Sequence, residues 1–388
     1  MSLANLLLDS EKEKFGDRCP LGFKKLDLLG KGGIALVWLA EVKSSKWGPE
    51  MVGQRVALKQ FPKVKGQPLD NSALIEIETG NTLFPLSVKD GCEGNTDDEF
   101  ERVDGVDSSQ YPGIRSIAKL LDQIEERHDL WLVYELGGKS LGKILAEVKG
   151  EFYKGERIYN VAHQIFYKSL ATNKDILATL IRKVSETFVV LSKFGIVHSD
   201  IKPDNILIQM NSAQTEILGI KLIDFGSAFQ FHNVAQMSAT TPEYLAPEIL
   251  EYLEERQKNA KSNAVSAAQL NKASQPWSFD VWSLGIILLE IVTGFPVWMS
   301  LKCRVSTATG KSVLGSGLFG VQGREGKRIL AKQHQVLKNI PQTLRKYECY
   351  GLDQDQQFMD LLHRMLDFDS SARISPSDIL VHPFVCRQ

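Results

Sequence analysis

Apolar and polar positions change rhythm once along this chain. In the first third they alternate. Phe23–Leu29, Ala35–Val42 and Arg55–Phe61 are β-rich runs punctuated by glycine, as in an antiparallel meander. Ser72–Phe84 has helical character, weakened at Gly80. Ala118–Ile124 and Leu130–Glu135 predict two further strands. After Gly137 and Gly138 the period lengthens. Leu141–Val148 and Asp175–Phe194 place apolar residues three and four apart, which predicts helices. Two short strands, Ile206–Ile208 and Ile220–Leu222, interrupt a remainder that reads as helical. The expected architecture is a small β-rich lobe and a larger helical one, joined near Glu135–Gly138.

Polar stretches break this pattern. Residues 1–18 read as a short amphipathic helix or loose tail. Residues 88–110 form an insert; from Asp90 to Asp107 it carries eight acids and a single base, Arg102. Such a run predicts a solvated loop. Residues 149–172 and 251–275 read as further inserts. Residues 256–275 of the second are rich in Ser, Ala, Asn and Gln, and mobility is the expectation there. From Lys302 to Lys346 there are ten Lys/Arg and one acid, Glu325. That run reads as a solvated face or, more sharply, as a docking site for an acidic or phosphorylated partner.

Over the 388 residues, 46 Lys+Arg nearly cancel 47 Asp+Glu, which lowers the weight of a bulk nucleic-acid binder. Five scattered cysteines, Cys19, Cys92, Cys303, Cys349 and Cys386, have neither disulfide-framework nor zinc spacing. The expectation is a cytoplasmic or nuclear protein with reduced thiols. The start, MSLANLLLDSEKEK, has no basic leader and does not read as a signal peptide. No run is long and apolar enough to span a bilayer.

Candidate chemistry lies at the joints of the pattern. Leu29–Val37, LGKGGIALV, puts Gly30 and Gly32 on a strand–turn–strand, where backbone N–H groups can approach a phosphate. Lys59 ends VALK on a strand and, if buried, needs an anion. His198–Asn205 reads HSDIKPDN, and Asp224–Gly226 reads DFG after an apolar strand. Asp200, Asn205 and Asp224 are hard oxygen donors of the kind that suits Mg²⁺ shared with phosphates. TPEYLAPE (Thr241–Glu248) and DVWSLG (Asp280–Gly285) follow.

This series resembles the eukaryotic protein kinase family, element by element and in order, over about residues 20–386. The resemblance implies an α+β, two-lobed protein-kinase-like fold: a small β-rich N-lobe with one main helix, and a larger helical C-lobe. Its domains would be an N-terminal tail (1–19), an N-lobe (20–136) and a C-lobe (137–388). It implies ATP and Mg²⁺ as cofactors and protein substrates bearing Ser/Thr as partners, with no nucleic acid and no membrane. The loop with Gly30 and Gly32 would cover the phosphates. Val37 and Ala57 would pack on adenine from one side and Leu207 from the other. The backbone of Glu135 and Gly137 would pair with the adenine edge, beside Tyr134 as gatekeeper. Lys59 would hold the α/β-phosphates and pair with Glu76 or Glu78, Glu76 being preferred because Ile75 and Ile77 flank it. Asp200 would orient the acceptor hydroxyl and take its proton, Lys202 would stabilise charge on the transferred group, and Asn205 and Asp224 would hold Mg²⁺. Glu248 would pair with Arg373, and Asp280 would brace the catalytic loop.

Lys202 together with Thr241 resembles serine/threonine rather than tyrosine kinases. The departures are Gly80, where the family usually has a large apolar residue; Ala35 at the third loop glycine, which implies weaker or slower nucleotide binding; and Ser199 for the Arg that grips an activation-loop phosphate. Acids at Asp204, Glu243 and Glu290 match positions that face substrate arginines in basophilic members. The alternatives to an active protein serine/threonine kinase are a pseudokinase scaffold that binds nucleotide or partners without transferring phosphate, and a small-molecule kinase, against which TPEYLAPE argues. No subfamily is implied.

Overall fold

The computed structural model describes residues 18–64, 66–88, 100–153, 156–237, 240–258, 263–294, 302–306, 312–316, 337, 340–345 and 351–386. Residues 1–17 of the predicted tail, the centre of the acidic insert (89–99) and most of the basic run 302–346 lie outside them. The chain divides into two compact units: residues 1–106 with 118–137, and residues 107–117 with 138–388.

In the first unit, β1 (Phe23–Lys31), β2 (Leu36–Val42), β3 (Arg55–Pro62), β7 (Asp129–Glu135) and β6 (Leu120–Glu125) form an antiparallel sheet in the order β1-β2-β3-β7-β6. A separate pair, β4 (Leu86–Val88) and β5 (Phe100–Arg102), closes the base of the acidic insert, so part of the predicted loop is a ladder. Period-two alternation gives the main sheet two buried faces. One collects Phe23, Leu36, Trp38, Val56, Leu58 and Trp131 under Trp47 and Met51. The other collects Phe61, Leu120, Leu130 and Leu132 against Ala73 of α1 (Asn71–Leu83). Asp70 caps α1 by accepting the Ser72 N–H at 2.9 Å. Gly80 is there because the sheet comes so close: a Cβ on it would lie 2.6 Å from Leu120 Cδ2. Leu120 fills the space that a large residue at position 80 would take.

The second unit is built on α4 (Lys174–Lys193) and α7 (Ser278–Thr293). The side chain of Asn173 caps α4, which buries Ile176, Leu177, Leu180, Ile181, Val184, Phe188 and Leu191 along one stripe. All residues of α7 are buried, and Gly294 in the left-handed conformation ends it. Its apolar run, Leu284–Val292, interrupted by Glu290, is that of a core helix. Short ladders carry the motif loops: β11 (Ile196–Val197) with β14 (Phe229–Gln230), and β13 (Ile217–Leu222), β12 (Ile206–Met210) and β8 (Lys139–Ser140) in one sheet. Gly138 passes so close to the Ile208 carbonyl that a Cβ would lie 1.8 Å from its oxygen.

Two expectations for this unit are corrected. The helix predicted over Leu141–Val148 stops early: α2 covers only Leu141–Leu145, and Ala146 begins β9 (Ala146–Tyr153). Residues 149–172 are a hairpin of β9 and β10 (Glu156–His163) followed by α3 (Ile165–Thr172). This hairpin is extended by β15 (Lys302–Ser306), parallel to β10, and by β16 (Ser312–Ser316), so the remainder is not purely helical. Within 251–275, residues 251–258 and 263–273 are helical, in α5 (Pro247–Lys258) and α6 (Asn263–Ala273). Buried Leu270 and the Ser274–Ser370 hydroxyl contact (3.0 Å) anchor that segment. The unit closes with α8 (Ile340–Arg345), α9 (Gln356–Met365) and α10 (Pro376–Leu380). Among the described residues no single helix is long and apolar enough to cross a membrane.

Candidate active site

In the first unit the register of β2, β3 and β7 sets Val37 opposite Lys59 and Lys59 opposite Leu132. Ala57 lies opposite Tyr134 in the same ladder. Residues opposite one another share a face, so Val37, Ala57, Lys59 and Tyr134 line one side of the sheet. That is the side on which α1 packs. Lys59 Nζ reaches Glu76 Oε2 at 2.6 Å, and the pair is largely buried, with Glu76 only 3% exposed. Helical spacing decides between the two glutamates. Ala73, Glu76, Gly80 and Leu83 form the buried stripe of α1, while Glu78 is exposed. Sequence reading did not anticipate a second donor to Glu76: the Tyr134 hydroxyl donates to Oε1 at 2.9 Å. The residues are 58 positions apart, and nothing in the local pattern signals the contact.

The glycine loop turns between β1 and β2, closed by Gly32 N–H donating to Ala35 O at 2.8 Å. A Cβ at Gly30 or Gly33 would meet nothing within 4 Å among the described residues. Protein packing therefore does not demand glycine there, and close approach of a ligand is a reason that fits. Ala35 behaves differently. It is buried and packs in the cluster with Phe61 and Leu130, on the face of the sheet where α1 lies. Glu135 donates its N–H to Lys119 O (3.2 Å), and its carboxylate accepts the Lys119 N–H (2.8 Å). Gly137 is the last residue of this unit.

In the second unit the catalytic-loop candidates converge on Asp200. Lys202 Nζ lies 2.6 Å from Asp200 Oδ2, and the Thr241 hydroxyl donates to Oδ1 at 2.8 Å. Lys202 also donates to Thr241 Oγ1 at 3.0 Å, closing a three-residue ring. Asn205 Nδ2 donates to the Asp200 carbonyl (2.8 Å) and to Oδ2 (3.0 Å). Thr240 donates its hydroxyl to the Ser199 carbonyl at 2.8 Å, so two consecutive threonines tie their segment to the loop. Below, the buried Asp280 accepts the N–H groups of both His198 (2.8 Å) and Ser199 (2.9 Å). Those bonds hold Ser199 at φ 67°, a left-handed conformation costly for a residue with a Cβ. Burial raises the Asp280 pKa, opposed by His198 and by the two N–H bonds. His198 accepts the Asp200 N–H on Nδ1 (3.3 Å), which leaves Nε2 to donate to Ile223 O (3.0 Å).

Asp224 is exposed and also left-handed, at φ 68°. Leu207 sits on β12 opposite Ser140. Arg373 spends its five N–H donors on Glu248 (2.7 and 3.2 Å), Ser278 O and Asp367 O, and stacks 5.0 Å from the Trp282 ring centre. Glu290 departs from the expected groove acid. It is 8% exposed, and both its oxygens accept the Tyr244 hydroxyl (2.9 and 3.0 Å). Burial pushes its pKa up to about 8, and Asp204 and Glu243 add to the rise.

A family model described as the protein kinase domain matches residues 109–385, most of the chain, and the chain therefore belongs to the protein kinase family. It is 26% identical over 236 residues to dual specificity protein kinase lkh1 of Schizosaccharomyces pombe, covering 53% of this chain and 31% of that protein. It is 25% identical over 302 residues to dual specificity tyrosine-phosphorylation-regulated kinase 2 of Drosophila melanogaster, covering 74% and 35% respectively. Against mitogen-activated protein kinase 14 of Arabidopsis thaliana it is 25% identical over 262 residues, covering 66% and 58%. The chain thus spans about a third of the first two relatives and under two thirds of the third.

Proposed function

We propose that the protein is an active serine/threonine kinase that transfers the γ-phosphoryl group of ATP to protein hydroxyls. The observation that carries this reading is the ring of Asp200, Lys202 and Thr241. A carboxylate held on one side by an ammonium and on the other by a hydroxyl keeps one orientation, as a group that must align an acceptor hydroxyl requires. Asp200 is the residue to accept the proton of that hydroxyl. Lys202, already beside it, is the cation to offset negative charge on the phosphoryl oxygens. In the other unit Lys59, fixed by Glu76, is the cation for the α/β-phosphates.

The donor set fits Mg²⁺. Among the described residues no group of three His, Cys, Asp or Glu side chains is placed to hold a metal by itself. Magnesium is ordinarily bound through one or two protein oxygens together with phosphates and waters. Asn205 uses its amide N–H groups on Asp200, which turns its oxygen into the donor on offer, and Asp224 supplies a carboxylate. When bound, the ion would neutralise charge on the phosphates. The serine/threonine preference rests on Lys202 and Thr241. A cytoplasmic or nuclear setting rests on the cysteine spacing alone. The test is Asp200→Asn, assayed by transfer of labelled phosphate to a peptide library, with nucleotide affinity measured in parallel. The expected result is a loss of about a thousandfold or more in kcat at near-unchanged nucleotide affinity. Wild-type turnover in the variant, or no transfer by the wild type to any Ser/Thr peptide, refutes the reading.

A further inference from the structure

The β9–β10–β15–β16 sheet takes no part in the chemistry above, and β9 is one of its outer strands. β9 ends the strand order, and among the described residues no strand pairs with its free side. Residues 147–152 are all exposed, including two large apolar side chains: Val148 at 54% and Phe152 at 79%. An exposed edge strand carrying large apolar side chains leaves unpaired N–H and C=O groups as a template for another chain. The question is with what, and the order of residues on β9 supplies the answer.

Side chains on β9 alternate. Val148, Gly150 and Phe152 point to one face, Glu147, Lys149 and Glu151 to the other. The ion pairs Lys149–Glu147 and Arg304–Glu151, both at 3.0 Å, lie along the charged face. A second β9 added antiparallel about a two-fold axis must choose a register. With the axis at Gly150, Lys149 faces Glu151 of the second copy and Val148 faces its Phe152, each pair occurring twice. No like charges then face each other, and the crowded centre holds only glycine. Axes at Lys149 or Glu151 set those residues against themselves. Axes between residues put Lys149 or Glu151 opposite apolar side chains and scramble the two faces. Parallel pairing in register sets every charge against its like. The Gly150 register also works whether the even or the odd residues of β9 carry the outward N–H groups, since it pairs even with even and odd with odd.

We propose that β9 is a self-recognition edge: two copies of the chain join antiparallel through residues 147–153 about Gly150, making one continuous eight-stranded sheet. The contact is isologous, so it closes at the dimer. Its charged pairs are directly opposed and its apolar pair covers Phe152, the two elements that stabilise cross-strand neighbours.

The wild-type chain, Lys149→Glu and Glu151→Lys are compared by sedimentation velocity across a concentration series. Each single substitution places two like-charged pairs across the axis. The expected results are a reversible dimer for wild type, and for each variant a dissociation constant at least about tenfold weaker. The decisive arm is the equimolar mixture. The glutamate introduced in one variant then faces the lysine introduced in the other, and the unchanged Glu151 of the first faces the unchanged Lys149 of the second. The mixture therefore regains a heterodimer although neither variant pairs with itself. Equal melting temperatures and peptide turnover show that the variants are folded. A wild type that stays monomeric to several hundred micromolar overturns the proposal, as do variants that associate like wild type, a mixture that does not recover, or open-ended assembly.

Discussion

The two units hold their key carboxylates in opposite ways. Glu76 is held from outside, by one lysine and one tyrosine on the sheet opposite its helix. Asp200 is held from all sides: by Lys202 and Asn205 within its own loop, by Thr241 from the next segment, and through a backbone that Asp280 clamps. The first arrangement can loosen if α1 moves by a fraction of a turn. The second cannot loosen without stranding several buried polar groups. The difference separates a site that a helix can tune from one that is pre-organised, and substitutions on each side should differ in size accordingly.

The largest effect belongs to the clamp. Asp280→Ala leaves the buried N–H groups of His198 and Ser199 without an acceptor, each costing about 1–3 kcal/mol. It also releases Ser199 from its left-handed conformation, and Asp200 moves with it. Denaturation should show about 2–5 kcal/mol of lost stability, and kinetics should show kcat down by about a hundredfold or more. Retention of near-normal kcat would mean that the loop is held by the Thr240 and Thr241 contacts alone.

A pH effect of similar order comes from the same unit. Glu290 is buried against Tyr244, and its pKa rises to about 8 on folding from an ordinary carboxyl value. Between about pH 5 and pH 8 the folded chain keeps a proton that the unfolded chain has released. Stability therefore falls as pH rises through that window and levels off above it, by on the order of a few kcal/mol. The raised Asp280 carboxyl acts with the same sign. Glu290→Gln keeps an acceptor for Tyr244 and removes the titration, so its melting temperature should depend less on pH between 5 and 8. An equally steep dependence in the variant would assign the slope to other groups.

The looser unit should respond more gently. Tyr134→Phe keeps the ring and deletes one hydrogen bond to Glu76, a loss of about 1–2 kcal/mol because the acceptor is charged. The helix α1 should become more exchangeable by hydrogen exchange, and kcat should fall several-fold. Lys59→Met should leave α1 protected as long as Tyr134 remains, and the double variant should lose that protection. Equal protection in the single and double variants would show that Tyr134 adds nothing to the hold on Glu76.

How much of this was legible in the sequence follows the range of the interactions. The motif loops were readable because each needs residue types with a local reason, such as Pro203 beside Asp204 or the close approach at Gly30. Glu76 was preferred over Glu78 on its neighbours Ile75 and Ile77, whereas the stripe that decides between them, with Ala73, Gly80 and Leu83, is read from the folded helix. The edge sheet was not. Leu141, Ile144, Leu145 and Val148 mimic a helical stripe, and β15, which completes the sheet, comes some 140 residues after β10. The helices in the polar run 251–275 were not legible for a related reason: its anchors include Ser274, which meets Ser370 far along the chain. Tyr134 showed its place in the sheet but not its partner.

The smallest effect sharpens the comparison most. In a loop clamped from several sides, order does not have to come from an added phosphate. Ser199 cannot give a phosphate the forked, charge-assisted contacts of an arginine. Its carbonyl instead accepts the Thr240 hydroxyl, while Thr241 holds Asp200. Both bonds are made by unmodified threonines, so the segment is tied down as synthesised. Phosphatase treatment should therefore change kcat by less than about twofold. Thr240→Val, which deletes one neutral hydrogen bond, should cost more than the phosphatase does, about three- to tenfold. A collapse of activity on dephosphorylation that rephosphorylation restores would place the ordering force in a charge these contacts do not contain. The large unit would then be as tunable as the small one.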